Sequence, residues 1–352
     1  MLKNPLNLLL LSSLLLNTQC SKNAEETIDE LMKPYSDKNP GAAVMVIKEG
    51  EILFQKGYGL ANLETGEKVT AETNFRLASI SKQFTAMAIL ILEKKELLSV
   101  DDKIRDIFPA FPEYGKEITI KNLLRHTSGL IDYESLIPDT ATIQVTDSDV
   151  LKMMNDADSL YFEPGTKFQY SNTAYAVLAM IVEKLSGNSF PEFLEENIFS
   201  KLNMKNTVAF VKGKNQIPNR SFGYNKVDDE FEFSDQSLTS AVLGDGGIYT
   251  SLEDMFKWDQ ALYTDVLISD RKMKEAFKRG QLNNGETIDY GFGWRRDYFE
   301  GLDRIYHPGS TCGFRNIYQR YPAQKLSVLV LTNRREPDVA DIANEISKLY
   351  LN

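Results

Sequence analysis

The sequence predicts an α+β chain, in which one antiparallel sheet is flanked by helices and interrupted by an inserted helical region. Three observations predict it. Strand-like runs gather near both ends, the long segment between them reads as helix, and one run in that segment is apolar on nearly every face. In chain order, Glu25 to Lys33 forms a helix that Pro34 stops. Ala42 to Ile47 and Glu51 to Tyr58 then alternate as strands and turn at Glu49-Gly50, a hairpin. Ser79 to Lys95 holds Phe84, Met87, Ile89, Leu90, Ile91 and Leu92, the pattern of a helix buried in a large protein. Residues 100–240 are mostly helical in pattern. Ser171 or Asn172 caps a helix ending at Gly187, Phe190 to Leu202 is another with Pro191 in its first turn, and Ser251-x-x-Asp254 is a capping box for a helix through Leu262. Strands return as Tyr290 to Arg295, Arg304 to His307, Arg315 to Arg320 and Leu326 to Thr332, with Pro322-Ala323-Gln324 turning the last pair and a final helix from about Val339 to Leu351. The sheet region therefore comprises about 24–78 and 245–352, and the helical insertion about 79–244.

Composition removes several classes of function. Hydrophobic residues at 42% and charged residues at 26% are ordinary globular usage, which excludes disorder and fibrous repeats for a chain of 352 residues. Forty basic against fifty acidic residues give a net charge of -10, so the chain as a whole lacks the basic footprint of a nucleic-acid binder. Only Cys20, Cys312, His126 and His307 carry sulfhydryl or imidazole groups, too few for a disulfide framework or a His-rich metal centre. Lys3 and the Leu-rich run Leu6 to Leu16, shorter than the ~20 residues a bilayer span requires, read as a secretory signal over residues 1–20. Cys20 precedes Ser21-Lys22-Asn23, and the segment resembles a bacterial lipoprotein signal with Cys20 as the lipidated residue, although Asn17 and Gln19 depart from its usual residues. Plain cleavage and an uncleaved anchor are the alternatives. The expectation is an exported bacterial protein, periplasmic or anchored to the outer membrane as a lipoprotein, whose contact with membrane is through Cys20.

Ser79-Ile80-Ser81-Lys82 opens the buried helix, and residues three apart on a helix share a face, so the Lys82 amine can reach the Ser79 hydroxyl. A serine becomes a nucleophile when a neighbouring base takes its proton. The spacing alone is weak, because Ser269-Asp270-Arg271-Lys272 repeats it in a charged, surface-like helix. Tyr170-Ser171-Asn172 precedes another helix and offers a phenol for proton transfer, or simply a packed Tyr and an N-cap. In His307-Pro308-Gly309-Ser310, Gly309 permits close approach of the backbone and the Ser310 N–H can stand opposite the Ser79 N–H as an oxyanion donor. His126, with Ser128 and Asp132 nearby, invites a Ser-His-Asp reading, but no Gly-x-Ser-x-Gly elbow surrounds any serine. Cys312 lacks a His-Asn partnership.

In order, Phe75 to Thr85, Leu123 to Leu130, Tyr170-Ser171-Asn172, Gly246 to Ser251 and His307-Pro308-Gly309 resemble successive blocks of the serine β-lactamase and penicillin-binding superfamily, in its class C β-lactamase, DD-peptidase and esterase branch. The likeness spans roughly residues 40–335 and implies a β-lactamase/transpeptidase-like α/β sandwich with the active site between sheet and helical region. It implies that Ser79 forms an acyl-enzyme, that Lys82 and Tyr170 share base and acid duty, and that Asn172, His307, Gly309 and Ser310 bind substrate or oxyanion. His307 and Pro308 stand where many β-lactamases have Lys and Thr, which favours an ester, amide or D-amino-acid peptide substrate over efficient β-lactam turnover, with Arg315 as a replacement cation for a substrate carboxylate. The resemblance thus implies a serine hydrolase of carboxylesterase or DD-peptidase type acting on a small molecule or peptide, without metal or organic cofactor. An acylable penicillin-binding or sensor module without turnover, or an acyltransferase, uses the same residues. Specificity falls to loops such as 131–147 and 210–240, and the sequence carries no signal of oligomeric state.

Overall fold

The structure, a computed structural model, describes residues 24–351, so the leader and Cys20 lie outside the described residues. Six strands form the main sheet in the order Arg295–Phe299, Leu302–Thr311, Phe314–Tyr321, Leu326–Thr332, Ala42–Lys48 and Glu51–Tyr58, every neighbouring pair antiparallel. The two ends of the chain meet where Ala42 pairs with Thr332 and Lys48 with Leu326. Both of these central strands are apolar almost without interruption because both faces are covered. Alternation assigns Ala43, Met45, Ile47, Leu329 and Leu331 to the large core, and Ala42, Val44, Val46, Val328 and Val330 to a second core. The second core is closed by a helix over residues 24–31 through Ile28 and by the Val339–Leu351 helix through Val339, Ala343 and Ile346. A slip of one residue would exchange the two faces, so the register of these two strands is firmly specified.

The apolar run at 79–95 is two elements. Ala78–Ser81 forms a 3-10 turn and Lys82–Lys94 continues as α-helix, with every side chain from Lys82 to Leu92 buried. Phe84 lies 4.2 Å from the Trp258 ring, whose Nε1 donates to Gln83 Oε1 at 3.0 Å, so the helix is gripped just behind its first turn. Asn172–Ser186 follows the Ser171 N-cap and ends at left-handed Gly187, as its sequence predicts.

Several expectations are corrected. Ser251 caps Leu252–Ala261 through the Asp254 N–H, yet the Asp254 carboxylate does not complete the box; it accepts from Asn206 N at 2.8 Å and Thr207 Oγ1 at 2.9 Å. Phe190–Leu194 passes into a π turn at Glu195–Phe199 and stops short of Leu202. The middle segment also carries short strands, Val208–Ala209, Tyr224–Val227 and Glu230–Phe233. Tyr290 to Arg295 is not a strand, which begins only at Arg295. Its alternation of aromatic and glycine imitates period two, but the glycines serve close approach: a Cβ on Gly291 would lie 2.2 Å from Ala276 O, and one on Gly293 2.8 Å from Lys82 O. Finally, His307-Pro308-Gly309-Ser310 does not follow a strand but lies within one that runs to Thr311. Among the described residues no helix is long and apolar enough to cross a membrane.

Candidate active site

Ser79 sits in the 3-10 turn, where residues three apart eclipse one another, and this aligns it with Lys82 more closely than an α-helical turn would. Lys82 is fully buried and its Nζ donates to Ser79 Oγ at 3.2 Å, Asn172 Oδ1 at 2.9 Å and the Asp245 carbonyl at 2.8 Å. Three acceptors match the three hydrogens of an ammonium. Asn172 is fixed in turn, because its Nδ2 donates to Glu134 Oε1 at 3.0 Å and so leaves Oδ1 facing Lys82. Behind this group the Asp245 carboxyl is buried, which pushes its pKa up to about 6, and it accepts from Tyr133 at 3.1 Å.

Tyr170 lies on the other side of Lys82, with Lys82 Nζ 5.0 Å and the Arg295 guanidinium 5.4 Å from its ring. Its hydroxyl is buried and has no hydrogen-bond partner among the described residues. The His126 ring packs 4.3 Å from Tyr170, and His126 Nδ1 accepts from the Ser171 N–H at 3.1 Å. That histidine therefore braces the Tyr170-Ser171-Asn172 segment and partners no nucleophile among the described residues.

The opposite wall is the Leu302–Thr311 strand. Its outer neighbour ends at the Arg295–Tyr306 pair, so beyond Tyr306 this edge faces the cleft. Pro308 can occupy a strand only where its nitrogen needs no ladder partner, which is this free edge. Side alternation then turns the Ser310 N–H, two residues on, to the same edge. A Cβ on Gly309 would lie 2.1 Å from Leu77 O, which shows how closely this strand passes the turn carrying Ser79. Ser79, Tyr170, Arg295, His307, Ser310 and Arg315 line one cavity of about 390 Å³. On the other side of Ser79, a smaller and more polar recess of about 70 Å³ is lined by Glu134, Asn172, Asp245 and Thr311.

The beta-lactamase family model matches residues 24–351. The chain belongs to the beta-lactamase family. It is 34% identical over 331 residues to penicillin-binding protein 4* of Bacillus subtilis (strain 168), covering 90% of this chain and 73% of that one. It is 29% identical to a D-aminopeptidase of Gluconobacter oxydans (strain 621H), over 85% of this chain but 57% of the relative. The structure superposes on a penicillin-binding protein from Bacillus halodurans with a TM-score of 0.79 and 27% identity, over 92% of this chain and 99% of that one.

With the beta-lactamase family established, the remaining positions can be placed. Ser79, Lys82, Tyr170, Asn172, His307, Gly309 and Ser310 converge on the one cleft edge. Arg315 lines the cleft but is not a free cation, since it pairs with Asp338. Arg295, which the sequence places only as a strand end, lines the same cavity and has no ion-pair partner among the described residues. Glu134 was also missed; its only sequence signal was membership of the 131–147 loop. The second Ser-x-x-Lys is structural, with Ser269 capping Asp270–Phe277 and Lys272 paired to Glu93 and Glu275.

His307 is buried and neutral. Burial, with the Lys82 charge adding to it, pushes its pKa down to about 3. Its Nδ1 donates to the Pro308 carbonyl at 2.7 Å, since a carbonyl can only accept, so Nε2 accepts from Tyr290 Oη at 3.0 Å. The unfolded chain takes up a proton near pH ~6.5 that the folded imidazole refuses, so stability falls as pH drops below that value, by at most ~1.4 kcal/mol per pH unit for this group. In His307→Gln, the fall in Tm between pH 7 and pH 5 is expected to be smaller than in the unmodified protein; equal falls would show that His307 is not held neutral.

Proposed function

We propose that this protein is an exported serine hydrolase that forms an acyl-enzyme on Ser79 and hydrolyses an ester, amide or D-amino-acid peptide bond. The observation that carries the reading is the Ser79 hydroxyl bonded to a buried Lys82, with the Tyr170 hydroxyl, unpartnered among the described residues, in the same cleft and the Ser310 edge opposite. Ser79 Oγ attacks the carbonyl carbon, and the oxyanion forms between the N–H groups of Ser79 and Ser310. Because all three Lys82 hydrogens are engaged, the Tyr170 oxygen, acting as phenolate, is the atom with acceptor capacity for the Ser79 proton, and Lys82 and Arg295 stand beside its ring. The proton passes to the leaving amine or alcohol, and the same oxygen then activates water against the acyl-enzyme. Asn172 holds Lys82 and offers the substrate amide a partner.

Arg295 supports a substrate with a carboxylate, as a guanidinium in the cleft without an ion-pair partner among the described residues. His307 and Pro308 supply neither cation nor hydroxyl there, which supports peptide, amide or ester cleavage over efficient β-lactam turnover. The likeness to a D-aminopeptidase supports D-amino-acid substrates. Export rests on the leader, and anchoring on Cys20. The test is a panel of an aryl ester, a D-amino-acid amide with its L enantiomer, a D-Ala-D-Ala peptide and benzylpenicillin, each followed for product and for adduct by intact mass. Turnover of an ester or D-substrate is expected, with any β-lactam adduct outlasting it. A stable adduct without turnover of anything would replace the hydrolase by an acylable binding module, and neither adduct nor turnover in folded protein would overturn the assignment.

A further inference from the structure

Four cationic side chains converge outside the catalytic cleft, on a chain whose net charge is -10. Arg125, Lys278, Arg279 and Arg296, with Thr287 and Tyr298, line a separate pocket of about 340 Å³. Three parts of the chain build it: the end of the Ile120–Leu124 helix, the segment after the Asp270–Phe277 helix, and the Arg295–Phe299 edge strand. Alternation along that strand sends Arg295 to the catalytic cleft and Arg296 to this pocket. The neighbours Arg125 and His126 divide in the same way, so the pocket stands directly behind the wall that holds Tyr170.

The charges are only partly compensated. Arg296 is paired in bidentate fashion with Asp303, at 2.7 Å for both contacts, and Arg279 lies 3.2 Å from Asp289. Arg125 and Lys278 have no ion pair and no side-chain hydrogen bond among the described residues. Arg125 is partly buried, stacked 5.1 Å from the Phe292 ring, and its Nε is shielded from solvent without an acceptor. The nearby acids are committed elsewhere, Asp101 to Lys121 and Glu275 to Lys272. A partly buried Arg125 without a counter-charge, beside the exposed Lys278 and two paired guanidiniums, leaves the pocket with a positive charge that an anion would offset. Guanidinium forks, an ammonium and the Thr287 and Tyr298 hydroxyls match an anion with several oxygens spread around one centre.

We propose that this pocket binds a phosphate group, free or as a lipid headgroup, as an anion site distinct from the catalytic cleft. The site does not rest on the hydrolase reading. It brings a phosphate-bearing ligand against the outer side of the Arg295–Phe299 strand, one residue from the cleft cation Arg295.

The test uses the purified full chain at constant ionic strength, titrated with inorganic tripolyphosphate against chloride as control, by calorimetry and by Tm. Saturable binding with a rise in Tm is expected, weaker at high salt. The double variant Arg125→Gln/Lys278→Gln is expected to bind at least about tenfold more weakly, the scale of one lost charge-assisted hydrogen bond. Lys278→Gln alone, at an exposed position, should show a smaller loss and guards against misfolding of the double variant. Ser79→Ala should bind unchanged, which separates this result from any failure of the hydrolase assignment. Co-sedimentation with phosphatidylcholine vesicles, with and without phosphatidylglycerol, distinguishes the sources: capture by the anionic vesicles that the double variant loses assigns a lipid headgroup, and tripolyphosphate binding without such capture assigns the free phosphate. No saturable phosphate binding, or binding that both variants retain in full, overturns the site.

Discussion

Ser79→Ala is expected to lower hydrolysis of every substrate by about 10⁴-fold or more, the scale seen when a nucleophile is removed from a cooperating catalytic group. The fold should persist. Ser79 contributes one hydrogen bond, from Lys82 Nζ at 3.2 Å, and Lys82 keeps its bonds to Asn172 and to the Asp245 carbonyl, so the loss in stability should be about 1 kcal/mol. Ser269→Ala provides the matched comparison. Its hydroxyl caps a helix from the Lys272 N–H, so its loss should cost about 1 kcal/mol of stability and no activity. The measurement is kcat/KM for the best substrate of the panel, together with intact mass to detect an adduct and thermal unfolding to verify the fold. Undiminished turnover or adduct formation in Ser79→Ala would remove Ser79 as the nucleophile and leave Lys82 a structural residue. The two Ser-x-x-Lys matches cannot be told apart by spacing. The surroundings decide, since one lysine is fully buried against three acceptors and the other is half-buried and paired with two half-buried carboxylates.

That contrast also shows what sequence makes legible. The double-sided apolar strands, the all-round apolar helix and the capping serines announce themselves through local patterns, and Ala42–Lys48, Leu326–Thr332 and Lys82–Lys94 appear where those patterns lie. Ser79, Lys82, Tyr170, Asn172 and Gly309 were legible because each belongs to a short block whose spacing is fixed by a turn or a helix start. Arg295 and Glu134 were not. Each reaches the site from a segment distant in sequence, and its part depends on which carboxylate or amide the fold places beside it: Arg315 finds Asp338, whereas Arg295 finds no carboxylate among the described residues. The Tyr290 to Trp294 segment failed for a related reason. A glycine required by a neighbouring backbone looks, in one dimension, the same as the polar half of a strand.

Gly309→Ala is expected to cost about 100-fold in kcat/KM while the protein remains folded. The added Cβ would sit 2.1 Å from Leu77 O and 3.2 Å from the Leu77 carbonyl carbon, a contact no real side chain makes. Leu77 cannot retreat: its N–H donates to Ile248 O at 2.8 Å, and the carbonyl of the preceding Arg76 accepts from Asn316 Nδ2 at 2.8 Å. Asn316 is itself the register partner of Gly309, so the same strand pair both presses on this segment and holds it. The strain is therefore relieved by moving the Leu302–Thr311 strand outward, by about 1.3 Å to bring the 2.1 Å contact to 3.4 Å, and a misplacement of about 1 Å or more costs on the order of 100-fold in rate. The displacement separates the Ser310 N–H from the Ser79 N–H, so the loss should fall on kcat more than on KM, because the oxyanion is bound only in the transition state. Overpacking of this kind lowers stability by about 1–3 kcal/mol, a Tm shift that leaves the protein folded at assay temperature. Gly246→Ala gives the control on the other side of the same turn. Its Cβ would meet Ala78 atoms at 3.5–3.7 Å, ordinary van der Waals contact, and activity within a few-fold of the unmodified protein is expected. Full activity in Gly309→Ala would mean that the strand edge, and with it Ser310, does not form the second half of the oxyanion site.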